Sequence, residues 1–160
     1  MTISIGDKLP DVSVMVAGAD GPEKAQTGAL FAGKRAALFS VPGAFTPTCS
    51  ARHLPGFVEK AEELKSKGID EIFCLAVNDA FVMGAWAKSA NAEGKITFVA
   101  DGNGDFTKAL GLTMDGSGFG MGQRGQRFSL IVEDGVVKTL NIEEPGQFEV
   151  SSAEHMLGQL

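Results

Sequence analysis

Residues 36–57 read AALFSVPGAFTPTCSARHLPGF, and the passage changes character twice. Ala36 to Val41 is an unbroken apolar run without alternation, which predicts a strand buried on both faces of a sheet. Further on, Leu54, Phe57, Val58, Ala61 and Leu64 fall at helical spacing, with Glu59, Lys60, Glu62, Glu63 and Lys67 on the other faces and Gly68 as a stop. That spacing predicts one amphipathic helix. Between strand and helix lies Cys49, with Pro42, Pro47, Thr46 and Thr48 before it and Pro55 after it. A structural cysteine behaves as a small hydrophobe and needs only apolar neighbours; these surroundings hold a thiol still.

Working outward, Val12 to Val16, a turn at Gly18 to Gly21 and the polar stretch that follows read as an N-terminal hairpin. Glu71 to Val77, EIFCLAV, is a second buried strand, and Asp79 is placed to cap a helix from about Ala80 to Ala90. Ile96 to Ala100 is a third strand. Arg127 to Glu133 and Val136 to Ile142 flank Asp134-Gly135, a strong two-residue hairpin signal. Ser151 to Leu160 reads as a closing helix capped by Ser151 or Ser152. The order, ββ, then β-α-β-α-β, then ββ-α, predicts an α/β fold: a central mixed sheet flanked by helices, with an N-terminal β-hairpin. Residues 1–160 are expected to form a single domain, since the chain is too short for two ordinary ones.

Hydrophobic residues make up 44% of the sequence and charged residues 21%, a globular composition. No apolar run approaches the roughly 18 residues of a membrane span, and the N-terminus has no basic segment leading into an apolar core. A cytoplasmic location is expected. The net charge of −6 argues against nucleic acid and anionic lipid as partners, because both require a cationic face. The two cysteines, Cys49 and Cys74, form no CxxC pair and are too few for a disulfide framework or a four-ligand zinc site. They read as free thiols of a reducing compartment, and neither a metal nor a cofactor is expected.

Cys49 falls near a helix N-terminus, where unpaired backbone N–H groups and the positive end of the dipole favour an anion. Acidity alone is still an insufficient device. A free thiol is about 3% ionised at neutral pH, so complete ionisation multiplies the thiolate only about thirtyfold, while nucleophilicity falls as the thiol becomes more acidic. The remainder must come from donors aimed at charge developing on the substrate, each worth about 2.7–4 kcal/mol in a water-excluded site. Thr46, three positions before Cys49, is placed to bring a hydroxyl beside the sulfur, and Pro42 to shield it from water. From the residues alone, Arg127, Arg124 and Arg52 are equal candidates for a cationic partner.

The segment PGAFTPTCS, Pro42 to Ser50, followed by HLPGF, resembles the active-site segment of the peroxiredoxins, and its Gly-Ala-Phe-Thr-Pro-Thr-Cys form resembles the type II, or five-like, subfamily. The likeness continues through VNDAFVM (Val77 to Met83), ADGNGDFTKALGL (Ala100 to Leu112) and QRFSLIVEDGVVK (Gln126 to Lys138). The resemblance implies a thioredoxin-like fold and a thiol peroxidase that reduces hydrogen peroxide and small alkyl hydroperoxides. It places the peroxidatic cysteine at Cys49 and the rest of the catalytic quartet at Pro42, Thr46 and Arg127. It further implies a sulfenic acid intermediate reduced by an external thiol, glutathione with glutaredoxin or thioredoxin, and a homodimer with Phe45 and the Gly-rich loop as candidate contacts. The alternative is a thiol redox sensor or interaction module that relays oxidation to a partner protein.

His53, four residues after Cys49, reads as a packing or hydrogen-bonding residue within reach of the cysteine; as the general base of a cysteine hydrolase it would need an orienting partner. His155 reads as a surface residue of the last helix. GMGQRG, Gly120 to Gly125, matches the GxGxxG dinucleotide pattern, but a strand follows it where a helix is required. Gly111 to Gly125 reads as a flexible surface loop near the site, with Phe119 and Met121 as a hydrophobic rim or subunit contact. Cys74 reads as a core residue. Its distance below the sheet edge, about 13 Å at about 3.3 Å per residue, exceeds the separation of about 7 Å that a disulfide tolerates, so direct bonding to Cys49 would require local unfolding.

Overall fold

A computed structural model describes all 160 residues. Its centre is the apolar run read above: β3 (Arg35–Ser40), every residue of which after Arg35 is buried. Parallel to it lies β4 (Glu71–Ala76), and β5 (Thr97–Ala100) continues the parallel set. The hairpin of β1 (Ser13–Gly18) and β2 (Gly21–Gln26) adds antiparallel beyond β5, and β8 (Phe128–Glu133) with β9 (Val136–Ile142) adds antiparallel beyond β3. The result is a seven-stranded mixed sheet in the order β2-β1-β5-β4-β3-β8-β9. The turn between β8 and β9 has Asp134 and Gly135 both at positive φ, 47° and 79°, the geometry for which Asp-Gly is suited.

Strand alternation sorts side chains onto two faces. Ala37, Phe39, Ile72, Cys74, Phe98 and Ile131 face one core, closed by α2 (Leu54–Glu59), α3 (Ala61–Ser66), α4 (Ala80–Ser89) and α6 (Ala153–Leu157). Leu38, Phe73, Val99, Phe128 and Leu130 face the other, closed by α1 (Thr27–Phe31) and α5 (Asp105–Leu110). The mixed sheet between helices is thus as expected, and Asp79 caps α4 by accepting from the Val82 N–H at 2.8 Å.

Four features depart from the sequence reading. The helix after Cys49 is not one continuous α-helix: it opens with a π-turn, Cys49–His53, in which the Leu54 N–H bonds the Cys49 carbonyl, and it bends at Lys60 between α2 and α3. Pro55 has no N–H to give the Ala51 carbonyl, so an ordinary i→i−4 ladder cannot run through this point. The segment Gly111 to Gly125, expected as a flexible surface loop, carries secondary structure of its own. Its short strands β6 (Thr113–Asp115) and β7 (Gln123–Gly125) pair with each other around a 3-10 turn, Ser117–Phe119. Helices α1 and α5 were not foreseen, and α6 is shorter than the expected closing helix, with Ser152 as its cap.

Candidate active site

The antiparallel register of β3 and β8 pairs Ser40 with Phe128. Arg127, one residue before Phe128, therefore stands beside the end of β3, where the chain leaves the sheet into the Pro42 loop. Because Phe128 and Leu130 face the second core and Ile131 the first, alternation directs Arg127 to the face that carries Cys49. There its Nη2 donates to Cys49 Sγ at 3.2 Å, and its Nη1 donates to His53 Nδ1 at 2.8 Å. Arg127 takes part in no ion pair with a carboxylate; the two ion pairs, Lys34–Glu71 and Arg35–Glu133, lie elsewhere. Its positive charge is left to the sulfur.

The Pro42 loop is tied down from both sides. The Ala44 N–H donates to Asn78 Oδ1 at 2.9 Å, which fixes the loop to the end of β4. Phe45 takes a left-handed conformation, φ 63°, a turn that a non-glycine residue adopts only where its surroundings hold it. Thr46 follows, and its Oγ1 donates to the Gly43 carbonyl at 2.6 Å. With the hydroxyl proton committed there, the oxygen presents only acceptor lone pairs to an incoming molecule. No bond from Thr46 to the sulfur forms, a refinement of the expected hydroxyl beside Cys49. Arg124 caps the loop from outside: its Nε donates to the Met121 carbonyl at 2.9 Å and its Nη1 to the Pro42 carbonyl at 3.4 Å.

Pro42, Thr46 and Arg127 all line one cavity of about 560 Å³, whose outer wall includes Met114, Phe119 and Met121. Cys49 itself has no exposed surface; its sulfur sits behind the Arg127 guanidinium. The structure thus brings together all four residues singled out in the sequence. It also separates the three arginines, since Arg52 stacks on the Phe148 ring at 4.7 Å from its centroid rather than reaching the sulfur. Phe119 is exposed at the cavity mouth and Met121 is part of its wall. No group of three or more His, Cys, Asp or Glu side chains is arranged to hold a metal ion, and no helix is long and apolar enough to cross a membrane.

His53 is fully buried, packed against Phe39, Phe57 and Phe148. Its Nε2 lies 2.9 Å from the Ser151 carbonyl, which can only accept, so Nε2 carries the proton and Nδ1 offers its lone pair to Arg127. That lone pair is occupied, so His53 is not available as a base toward Cys49. Burial first, and the Arg127 cation second, lower its pKa to about 3, against the opposing pull of the Ser151 hydrogen bond. The ring stays neutral and adds no second cation beside the first. Cys74 lies in the same core as Cys49, and both are free thiols. Burial pushes the Cys74 thiol well above its ordinary value, and the nearby Cys49 adds to the effect. Sequence reasoning had no access to Asn78, Phe148 or Ser151 as neighbours of the site; only His53, one helical turn past Cys49, carried a signal.

Comparison with known proteins finds relatives over nearly the whole chain. A family model described as Redoxin matches residues 4–157. The chain is 54% identical over 164 residues to peroxiredoxin-2E-2, chloroplastic, of Oryza sativa subsp. japonica, covering 99% of this chain and 73% of the relative. It is 50% identical over 159 residues to peroxiredoxin-2B of Arabidopsis thaliana, covering 99% and 98%. The crystal structure of reduced Prx3 from Vibrio vulnificus in complex with hydrogen peroxide superposes with a TM-score of 0.95 at 51% identity, covering 99% of each chain.

The neutral buried imidazole has a measurable consequence for stability. The unfolded chain takes up a proton on His53 as pH falls through about 6.5, whereas the folded chain does so only near pH 3. Stability from this group is therefore complete above the unfolded value and falls with decreasing pH, by up to about 1.4 kcal/mol per pH unit. Urea unfolding at about pH 7 and about pH 5 is expected to show the wild type losing roughly 2 kcal/mol, and His53→Leu losing markedly less over the same interval. Equal losses in the two proteins would contradict the neutral state.

Proposed function

The chain belongs to the type II peroxiredoxins and is a thiol-dependent peroxidase, and we propose that Cys49 is its peroxidatic nucleophile, with Pro42, Thr46 and Arg127 completing the reacting site. The observation that carries this reading is the Arg127 Nη2 to Cys49 Sγ contact of 3.2 Å, made by an arginine without a carboxylate partner. A guanidinium on the sulfur is placed to reach the oxygens that the nucleophile attacks and to stabilise the charge that moves between them.

The Cys49 thiolate attacks one peroxide oxygen. A sulfur–oxygen bond forms as the oxygen–oxygen bond breaks, the sulfur is oxidised to a sulfenic acid, and the second oxygen leaves as hydroxide or alkoxide and takes up a proton. Thr46 Oγ1 accepts from the hydroxyl of the bound peroxide, and the planar Arg127 fork holds the oxygens between which charge moves. Pro42 excludes water without placing a competing donor beside the sulfur. Hydrogen peroxide and small alkyl hydroperoxides are the substrates we assign. The complex of the Vibrio relative with hydrogen peroxide supports the first, and a cavity of about 560 Å³ walled by Met114, Phe119 and Met121 gives an alkyl arm an apolar place to lie.

Return of the sulfenic acid to thiol requires two further thiol equivalents, with loss of water and passage through a disulfide. Glutathione with glutaredoxin is the reductant we favour over an internal partner, because Cys74 is fully buried in β4 and burial holds its thiol un-ionised. For the homodimer expected from the family, Phe45 and Phe119, 53% and 84% exposed, are the candidate contacts near the site.

Cys49→Ser is expected to abolish peroxide consumption without unfolding the chain, and Arg127→Lys to lower the peroxide rate well beyond any change in thiolate fraction followed by iodoacetamide alkylation against pH. A rate that merely tracks the thiolate fraction would remove the transition-state role from Arg127. Cys74→Ser should keep most of its turnover with glutathione and glutaredoxin saturating, compared at equal folded fraction. Loss of turnover, together with a Cys49–Cys74 disulfide mapped in the oxidised wild type, would make Cys74 the resolving thiol. Light scattering at micromolar concentration is expected to return the mass of a dimer, and a monomer would count against the assembly.

A further inference from the structure

Beyond the four residues at the sulfur, a buried carboxylate is joined to them by a continuous chain of hydrogen bonds. Glu143 is 7% exposed. Its Oε2 accepts from the N–H groups of Glu149, Val150 and Ser151 at 2.8, 2.9 and 2.8 Å, and from Ser151 Oγ at 2.6 Å. Its own N–H donates to the Arg127 carbonyl at 3.0 Å. Three successive amides gathered on one oxygen fix the peptide planes of the segment that ends at Ser151. The carbonyl of Ser151 is the acceptor for His53 Nε2, and His53 Nδ1 is the acceptor for Arg127 Nη1.

We propose that Glu143 is a positioning residue for the peroxide reaction, its carboxylate acting through Ser151 and His53 to fix the Arg127 guanidinium against Cys49. This rests on the reading of Arg127 as the donor to the reacting atoms. The coupling works through the orientation of the imidazole. Both ring nitrogens of a fully buried imidazole require partners, and the Ser151 carbonyl is the acceptor for Nε2–H. If that carbonyl turns away, Nε2–H is left without an acceptor in the core, and the ring turns to find one. Nδ1 then moves off the Nη1 donor of Arg127, and the guanidinium loses the contact that orients it.

Glu143 meets the requirement for such a role, since it remains charged at neutral pH: burial opposes its ionisation, but the Ser151 hydroxyl and the three N–H groups outweigh that and hold its pKa below the ordinary carboxylate value. The same segment lays the Phe148 ring against His53, 4.9 Å between centroids, and beneath the Arg127 guanidinium at 5.8 Å. A segment displaced at Ser151 thus loses a second contact on the arginine as well.

The test is a double-mutant cycle on the full chain, with hydrogen peroxide as the probe. Oxidation is followed by stopped-flow fluorescence of the single tryptophan, Trp86, whose Nε1 donates to Ser50 Oγ beside Cys49. Glu143→Gln keeps the size and one acceptor oxygen for the clustered donors but removes the charge that strengthens all four hydrogen bonds. It is expected to slow sulfenic acid formation by about tenfold, within the range of up to about a hundredfold that small misplacements cost. In the Arg127→Lys background the same change should cost nothing further. Nitrogen-15 shifts of the imidazole should show the Nδ1 resonance losing its hydrogen bond to Arg127 in Glu143→Gln, a signature that simple loss of stability does not produce. An unchanged rate, an equal loss in both backgrounds, or an unshifted Nδ1 resonance overturns the proposal. An Arg127→Lys protein as fast as wild type overturns instead the reading on which it rests. Should Glu143→Gln fail to fold, His53 decides: His53→Gln, which retains an acceptor for Arg127 and a donor for Ser151, should recover most of the rate lost in His53→Leu, and absence of that recovery overturns the proposal.

Discussion

Everything at this site depends on holding a guanidinium beside a sulfur with no carboxylate to share it. A half-buried cation without a counter-ion is unfavourable, and the thiolate form of Cys49 is the anion in reach, with Nη2 at 3.2 Å. The same constraint explains the neighbours. A protonated histidine 2.8 Å from Nη1 would repel the arginine, and His53 is kept neutral by burial and by Arg127 itself. A carboxylate in that position would satisfy the arginine and withdraw it from the sulfur. A neutral acceptor is the one arrangement that orients the fork while leaving its charge unspent.

That arrangement is assembled by sheet register. Arg127 is 78 positions from Cys49 in the chain, and what brings them together is the pairing of Ser40 with Phe128 at the centre of a seven-stranded sheet. A slip of one residue between β3 and β8 would turn Arg127 to the opposite face and put Phe128 in its place. The register is secured by what lies below it: Leu38 opposite Leu130 and Ala36 opposite Val132, all buried in the second core. The packing of one sheet face thus sets the position of a charge on the other.

The strands that build this frame were legible because their pattern is strong. The runs AALFSV and EIFCLAV are apolar but for Ser40 and the leading Glu71, and Asp134-Gly135 marks its turn without ambiguity. Cys49, Pro42 and Thr46 were legible because they fall in one short segment. Arg127 was separable from Arg124 and Arg52 only by family resemblance, because pairing between distant strands leaves no local trace. Helices α1 and α5 span five and six residues, too few turns for a periodic signal to stand out. Strands β6 and β7 are three residues each, joined by a glycine-rich turn, and their pairing with each other has no alternation to announce it. The single helix expected after Cys49 was misread because apolar spacing is insensitive to the backbone ladder, whereas Pro55, plainly visible, acts on that ladder alone.

Pro55 also bears on how the reaction cycle must be divided. Peroxide in the cavity needs only a small shift at Arg127, which lines it, to meet the sulfur 3.2 Å from Nη2; a thiol carried on a peptide or protein needs far more room, because Cys49 has no exposed surface in this conformation. Closed packing suits the first half of the cycle, where donors and excluded water accelerate oxygen transfer. It obstructs the second half. The turn that carries Cys49 is π-helical, closed by the Leu54 N–H to the Cys49 carbonyl and by the Ser50 N–H to the Thr46 carbonyl at 2.9 Å, and it is pinned from outside by the Trp86 indole on Ser50. Such turns are rare and local, and this one sits at the start of the helix, so exposing the sulfur disturbs these few bonds while the sheet and the packed length of α2 and α3 stay in place. On the proposed reading, the five residues that hold Cys49 against Arg127 are thus also those whose few bonds must open for a reductant.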